Sequence, residues 1–189
     1  PDLTFVIHYQ TPGNVVAYYQ QVGRAGRAIP KAYGVLLSGE EEAKINAYFR
    51  DSAFPPEWQV KRILEALDAA NNGLNVRGIE RAVNLRQSQI EKVLKLLVVE
   101  PLSPVVKIDS VWYRTPNSYQ IDRARIAHLT VQRAAEWEQM ERYLANQCCL
   151  MEFLAKALDD PHAQPCGRCA VCLRRPVLPL EVQRNTQIA

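Results

Sequence analysis

The chain has 189 residues, a formal net charge of +3, and 48% hydrophobic against 23% charged residues. That balance is that of a globular protein and excludes disorder over most of the length. The apolar runs, Leu96-Leu97-Val98-Val99 among them, are far shorter than the ~20 residues a membrane-spanning helix needs. The mild basicity permits a nucleic-acid partner without requiring one.

The opening, Pro1-Asp2-Leu3-Thr4-Phe5, is neither a basic leader nor an apolar signal core. It reads like the middle of a longer protein, so an excised piece is expected. Leu3 to Tyr9 is a near-continuous apolar run that predicts a buried parallel strand. Thr11-Pro12 then suits a helix N-cap followed by proline at the first helical position. Asn14 to Val22 predicts a helix ended by Gly23 and Gly26, Tyr33 to Leu37 a second strand, and Ser38-Gly39-Glu40-Glu41 a further helix start. Pro55-Pro56 marks a boundary.

Glu57 to Ala70 places Val60, Ile63, Leu64 and Leu67 on one helical face. Val76 to Val83 is a short second helix. Gln87 to Glu100 is a third, with Ile90, Val93, Leu94 and Leu97 inward. Val105–Ile108 and Val111–Arg114 flank Asp109-Ser110 as a hairpin. Three helices and a hairpin in that order make a winged helix-turn-helix. A long helix from Ile121 to about Asn146 follows, with Ile126, Leu129, Trp137, Met140 and Leu144 inward, then another from about Gln147 to Leu158.

All five cysteines, Cys148, Cys149, Cys166, Cys169 and Cys172, lie within residues 148–172. A disulfide framework would spread them over the fold; clustering at two-residue gaps points to a metal in a reducing compartment. The overlapping steps Cys166-Gly167-Arg168-Cys169 and Cys169-Ala170-Val171-Cys172 turn successive thiolates inward, and Zn²⁺ takes four such ligands at ~2.3 Å. The fourth ligand is Cys149 or Cys148, not both, because adjacent helical residues point ~100° apart. Four protein thiolates leave no open position, so the metal is expected to be structural. An iron–sulfur cluster, a redox cysteine group, or His162 in place of one thiolate are the alternatives.

Gln20-Gln21-Val22-Gly23-Arg24-Ala25-Gly26-Arg27 is the densest chemical signal. The glycines let the backbone leave a helix sharply, and two arginines project from the turn. Guanidinium groups bind phosphate bidentately and, placed at a γ-phosphate, can be worth roughly 10³–10⁵ in rate. Without further context the same string is equally a solvated turn between helix and strand.

Together with Val6-Ile7-His8-Tyr9 and Tyr18-Tyr19, and with Pro1-Asp2 ahead of them, this string resembles the end of the second RecA-like lobe of a superfamily 2 helicase, where Q-x-x-G-R-A-G-R is motif VI. The pattern of Cys149, sixteen residues, Cys166, Cys169 and Cys172, with Met140 and Tyr143 ahead of it, is similar to the zinc module of RecQ helicases. The resemblance selects Cys149 over Cys148.

It implies an α/β and mostly α chain: residues 1–52 as the end of the RecA-like parallel-sheet lobe, 57–116 as a winged helix, 119–175 as a helical tetracysteine zinc module and 176–189 as a tail. Gln20, Gly23, Arg24 and Arg27 would line the ATP cleft, with Arg27 on the γ-phosphate and Arg24 assisting. The whole enzyme would use ATP and Mg²⁺ to move 3′ to 5′ and unwind DNA, in repair or recombination, in the cytoplasm or nucleoid.

There are departures. Gln21 and Ala28 stand where the motif usually carries acids, Leu150 where arginine usually follows the first cysteine, and the winged helix precedes the zinc module instead of following it. An aromatic strand-separating wing is therefore not implied. The chain carries no phosphate loop of the form G-x-x-x-x-G-K-[ST] and should not hydrolyse ATP alone. The preceding lobe of the same protein is then the required partner, and single-stranded or forked DNA the substrate.

The candidate DNA contacts are Arg86, Lys92 and Lys95 on the third helix, Lys107 and Arg114 on the wing, and Arg168, Arg174 and Arg175 by the metal. A zinc-containing winged-helix DNA-binding or protein-interaction module without helicase activity is the competing reading. It leaves the arginine motif idle.

Overall fold

The computed structural model describes residues 3–178. Pro1-Asp2 and most of the expected 176–189 tail lie outside them. The elements run β1 (Phe5–His8), α1 (Val15–Val22), β2 (Tyr33–Leu36), α2 (Glu42–Asp51), α3 (Glu57–Asp68), α4 (Val76–Val83), α5 (Gln87–Val98), β3 (Val105–Ile108), β4 (Val111–Arg114), α6 (Arg123–Leu144), α7 (Leu150–Ala157) and α8 (Ala170–Leu173). The described residues fall into two compact units, one formed by residues 3–47 with 131–178, the other by Tyr48–Thr130. No helix among the described residues is long and apolar enough to cross a membrane.

In the first unit β1 and β2 pair in parallel, with Phe5 opposite Tyr33 and His8 opposite Leu36. The strand is not buried as the apolar run suggests: Phe5 and Ile7 are each 55% exposed. Among the described residues this sheet has two strands. The helix start also differs from expectation. Asn14, not Thr11, caps α1, its side chain accepting from the Ala17 N–H at 2.7 Å. Thr11 is buried instead and bonds through its backbone N–H and its hydroxyl to Glu42. A carboxylate thirty-one residues away outcompetes the local cap.

The core of this unit joins Val15 and Tyr18 of α1 to Trp137, Met140 and Tyr143 of α6 and Leu154 of α7. Tyr143 takes the inward place expected of Leu144, which is left partly exposed. One residue along a helix is a rotation of ~100°, enough to swap the two.

The second unit matches its reading closely. Val60, Ile63 and Leu67 of α3, Ile79 and Val83 of α4, and Ile90, Val93, Leu94 and Leu97 of α5 form one core, with Val105 from β3. Truncating a fully buried member such as Ile63 to alanine should cost about 2–5 kcal/mol. Asn75 caps α4 through the Gly78 N–H, and Asn84 ends it in the left-handed conformation. The hairpin pairs Val105 with Arg114 and Ile108 with Val111. Leu74 adds a bridge to Trp112, with N···O distances of 2.9 and 2.8 Å. Gly73 permits this approach: at φ 66° a Cβ would meet the Trp112 carbonyl at 2.6 Å.

Candidate functional site

The arginine turn is built from the end of α1. The Gly23 N–H closes the helix on the Tyr19 carbonyl at 2.8 Å, and the Arg24 and Ala25 N–H groups bond the Gln21 and Val22 carbonyls at 3.2 and 3.0 Å. Gly26 follows at φ 78°, a conformation that favours glycine, and donates its N–H to Leu3 at 3.0 Å. Arg27 folds its Nε back to the Gly23 carbonyl at 3.2 Å, and its side chain is exposed. Gln20, Gly23 and Arg24 are exposed beside it. The result is a surface turn that presents two permanent cations, suited to a phosphate.

The cysteines assemble differently from their order in the chain. The sulfurs of Cys149, Cys166, Cys169 and Cys172 all lie within 4.8 Å of one another. A tetrahedral zinc with ~2.3 Å bonds places its sulfurs ~3.8 Å apart, so this donor set fits a tetrathiolate metal. Cys148 is exposed and outside the cluster, and its backbone N–H is taken by Asn146. His162 also lies outside the cluster, on the surface. Gly167, at φ 67°, turns the Cys166–Cys169 knuckle.

Backbone N–H groups surround the sulfurs. Those of Cys166 and Glu152 reach the Cys149 sulfur at 3.1 and 3.4 Å, that of Cys169 reaches Cys166 at 3.3 Å, and that of Cys172 reaches Cys169 at 3.4 Å. Burial pushes the Cys149 thiol up, but the N–H groups outweigh it and hold it below its ordinary value. Burial likewise pushes Cys169 up, but hydrogen bonds from the N–H groups of Cys172 and Leu150 outweigh it and bring the thiol down to about 6. Cys172 is pushed up to about 12, first by its hydrogen bond with the Cys169 sulfur. Thiols that share protons in this way are those a cation would displace them from.

The basic residues are scattered. Arg86, Lys95 and Lys107 are exposed and Lys92 is half-buried along its stem. Lys107 also lies over the Trp112 ring, 5.7 Å from its centroid. Arg168, Arg174 and Arg175 are exposed around the cysteine knuckle. Arg114 differs: its side chain is only 17% exposed, pairs with Asp68 at 3.2 Å, and donates to the carbonyls of Pro104, Thr115 and Asn117 at 2.7–2.8 Å. It clamps the hairpin to its flanks and offers no free head to a phosphate.

Sequence reasoning did not single out His8 or the Tyr18–Tyr143 pair. His8 is buried, with Nε2 2.7 Å from Gln21 Oε1 and its ring 5.0 Å from Tyr18. Tyr143 in turn packs on Phe153 at 5.5 Å. Tyr18 and Tyr143 belong to the quoted motifs, but nothing in a one-dimensional pattern pairs them.

The chain is 26% identical over 177 residues to an ATP-dependent DNA helicase RecQ of Synechocystis sp., an alignment covering 92% of this chain and 35% of the relative. It is 33% identical over 85 residues to a protein of Acanthamoeba polyphaga mimivirus assigned as an ATP-dependent RNA helicase, covering 45% of this chain and 15% of the relative. Over 37 residues it is 49% identical to a RecQ-like DNA helicase of Caenorhabditis elegans, covering 20% of this chain and 4% of the relative. No family model matches, and no solved structure matches at a significant level. The chain spans about a third of the length of the cyanobacterial relative. These relatives bear out the resemblance to RecQ-like helicases.

Proposed function

We propose that this RecQ-like stretch is the C-terminal part of an ATP-dependent DNA helicase that, in its full length, moves 3′ to 5′ and unwinds DNA. The breadth of the cyanobacterial match carries the reading: covering 92% of the chain, it leaves too few residues outside to miss either the arginine turn or the cysteines. A shared core beneath both features supports it further.

In this reading residues 1–52 complete a RecA-like lobe whose exposed Gln20, Gly23, Arg24 and Arg27 face ATP and Mg²⁺ bound mainly by the preceding lobe of the same protein. Arg27 neutralises charge growing on the γ-phosphate, with Arg24 assisting. Residues 57–116 act as a winged helix; the observed order of three helices and a hairpin is compatible with that role. Cys149, Cys166, Cys169 and Cys172 hold one structural zinc within residues 119–175. Phosphates are met by Arg86, Lys92, Lys95, Lys107, Arg168, Arg174 and Arg175, in a protein of the cytoplasm or nucleoid.

The full-length protein should hydrolyse ATP with stimulation by single-stranded DNA, and this chain alone should not. DNA binding without ATP hydrolysis in the full-length protein would favour the zinc-containing winged-helix module instead.

A further inference from the structure

Strand β1 and the arginine turn run side by side in opposite senses and are joined at two matched points. At one end the Gly26 N–H donates to the Leu3 carbonyl at 3.0 Å. At the other, His8 Nε2 meets Gln21 Oε1 at 2.7 Å. Gly23 and Arg24 lie between the two anchors, and the Arg24 N–H rests on the carbonyl of Gln21 itself. The backbone anchor exists in any sequence that forms the turn. The side-chain anchor depends on two residues.

His8 is fitted to one orientation. It is 9% exposed, and its ring lies against Tyr18, one helical turn before Gln21. An amide oxygen only accepts, so the imidazole must carry its proton on Nε2 to make this bond. Nδ1 is buried and has no hydrogen-bond partner among the described residues. A buried polar atom left unpaired is costly, and the site keeps this cost while holding Nε2 on Gln21. A phenylalanine would fill the same space against Tyr18 without it.

We propose that His8 is a positioning residue: through Gln21 it fixes the last turn of α1, and with it the direction in which Arg24 and Arg27 leave the backbone. This rests on the proposed ATPase function. It assigns His8 no contact with nucleotide; its effect is confined to the placement of groups that act on charge developing in the transition state.

The test uses the full-length protein. His8→Phe keeps a ring on Tyr18 and removes the donor. It should lower kcat for DNA-stimulated ATP hydrolysis ~10-fold or more while KM for ATP changes little, because small misplacements of a catalytic group act on rate. His8→Gln, whose amide N–H can still donate to Gln21, should restore most of kcat. Gln21→Leu should match His8→Phe, and the double variant should be no worse than either single one, the signature of one shared interaction. Nitrogen-15 spectra of the wild type should show His8 protonated on Nε2. Wild-type kcat in His8→Phe, or additive losses in the double variant, would overturn the inference alone. A wild-type protein without ATPase would remove the functional reading and this inference with it, whereas a His8 proton on Nδ1 would remove only the brace.

Discussion

Tyr18 and Tyr143 meet with ring centroids 5.3 Å apart, inclined at 49°, and share a hydrogen bond between their side chains. Tyr18 lies on the helix that ends in the arginine turn, and Tyr143 on the helix that leads to the cysteines. Two motifs separated by more than a hundred residues are thus built on one core, with Phe153 and Leu154 from the helix that Cys149 caps. Disturbing either motif should be felt at the other.

Cys169→Ser should abolish binding of one zinc per chain, measured by elemental analysis. Structural zinc sites contribute about 10–16 kcal/mol of apparent binding free energy in small modules, so the segment from about 145 to 173 should unfold. The common core extends the expectation to α1, whose amide hydrogens should exchange faster. Cys148→Ser should leave the metal content unchanged. Zinc lost in Cys148→Ser, or iron in place of zinc, would contradict the assignment.

Arg27→Ala in the full-length protein should reduce ATP hydrolysis far more than ATP affinity, because the arginine acts on charge that appears in the transition state. Arg24→Ala should cost less. Equal hydrolysis rates in Arg27→Ala and the wild type would make the string a structural turn.

Burial raises the pKa of both Tyr18 and Tyr143, above the ordinary value of 10.0. The folded state therefore prefers the neutral phenols. The corresponding stability is present in full below pH 10 and is lost as pH rises above it. Denaturant midpoints of the first unit should fall steeply above that point. Tyr143→Phe should cost about 1 kcal/mol at neutral pH through the lost hydrogen bond and flatten the alkaline fall. An unaltered alkaline slope in that variant would show that the pair does not govern it.

The second unit was legible because its information is local. Apolar residues three and four apart define each helix, and the hairpin ends match at Val105–Ile108 and Val111–Arg114. The first unit was less so. Thr11-Pro12 looks like a cap until Glu42 claims the threonine. The apolar run of β1 gives no sign of how few neighbours surround it. Two adjacent cysteines cannot be ranked by periodicity; the resemblance chose Cys149, and the fold brings that sulfur to the other three. His8 and Gln21 are thirteen residues apart on different kinds of element, so no repeat period links them.

DNA binding by this chain should be weak and largely indifferent to sequence, since a translocating protein must pass any base and its contacts should go to phosphates. The net charge of +3 implies few neutralised phosphates and a shallow salt dependence. Changing Lys92 and Lys95 to glutamate should weaken binding to all sequences alike. Unchanged affinity would turn that helix toward solvent or a protein, and altered base preference would favour a regulatory module.

Strand separation is the most direct test of the central claim. The full-length protein should unwind a short duplex bearing a 3′ single-stranded tail when supplied with ATP and Mg²⁺, and should leave the 5′-tailed duplex largely paired. Binding of both substrates with no ATP-dependent release of strand from either would contradict the helicase account.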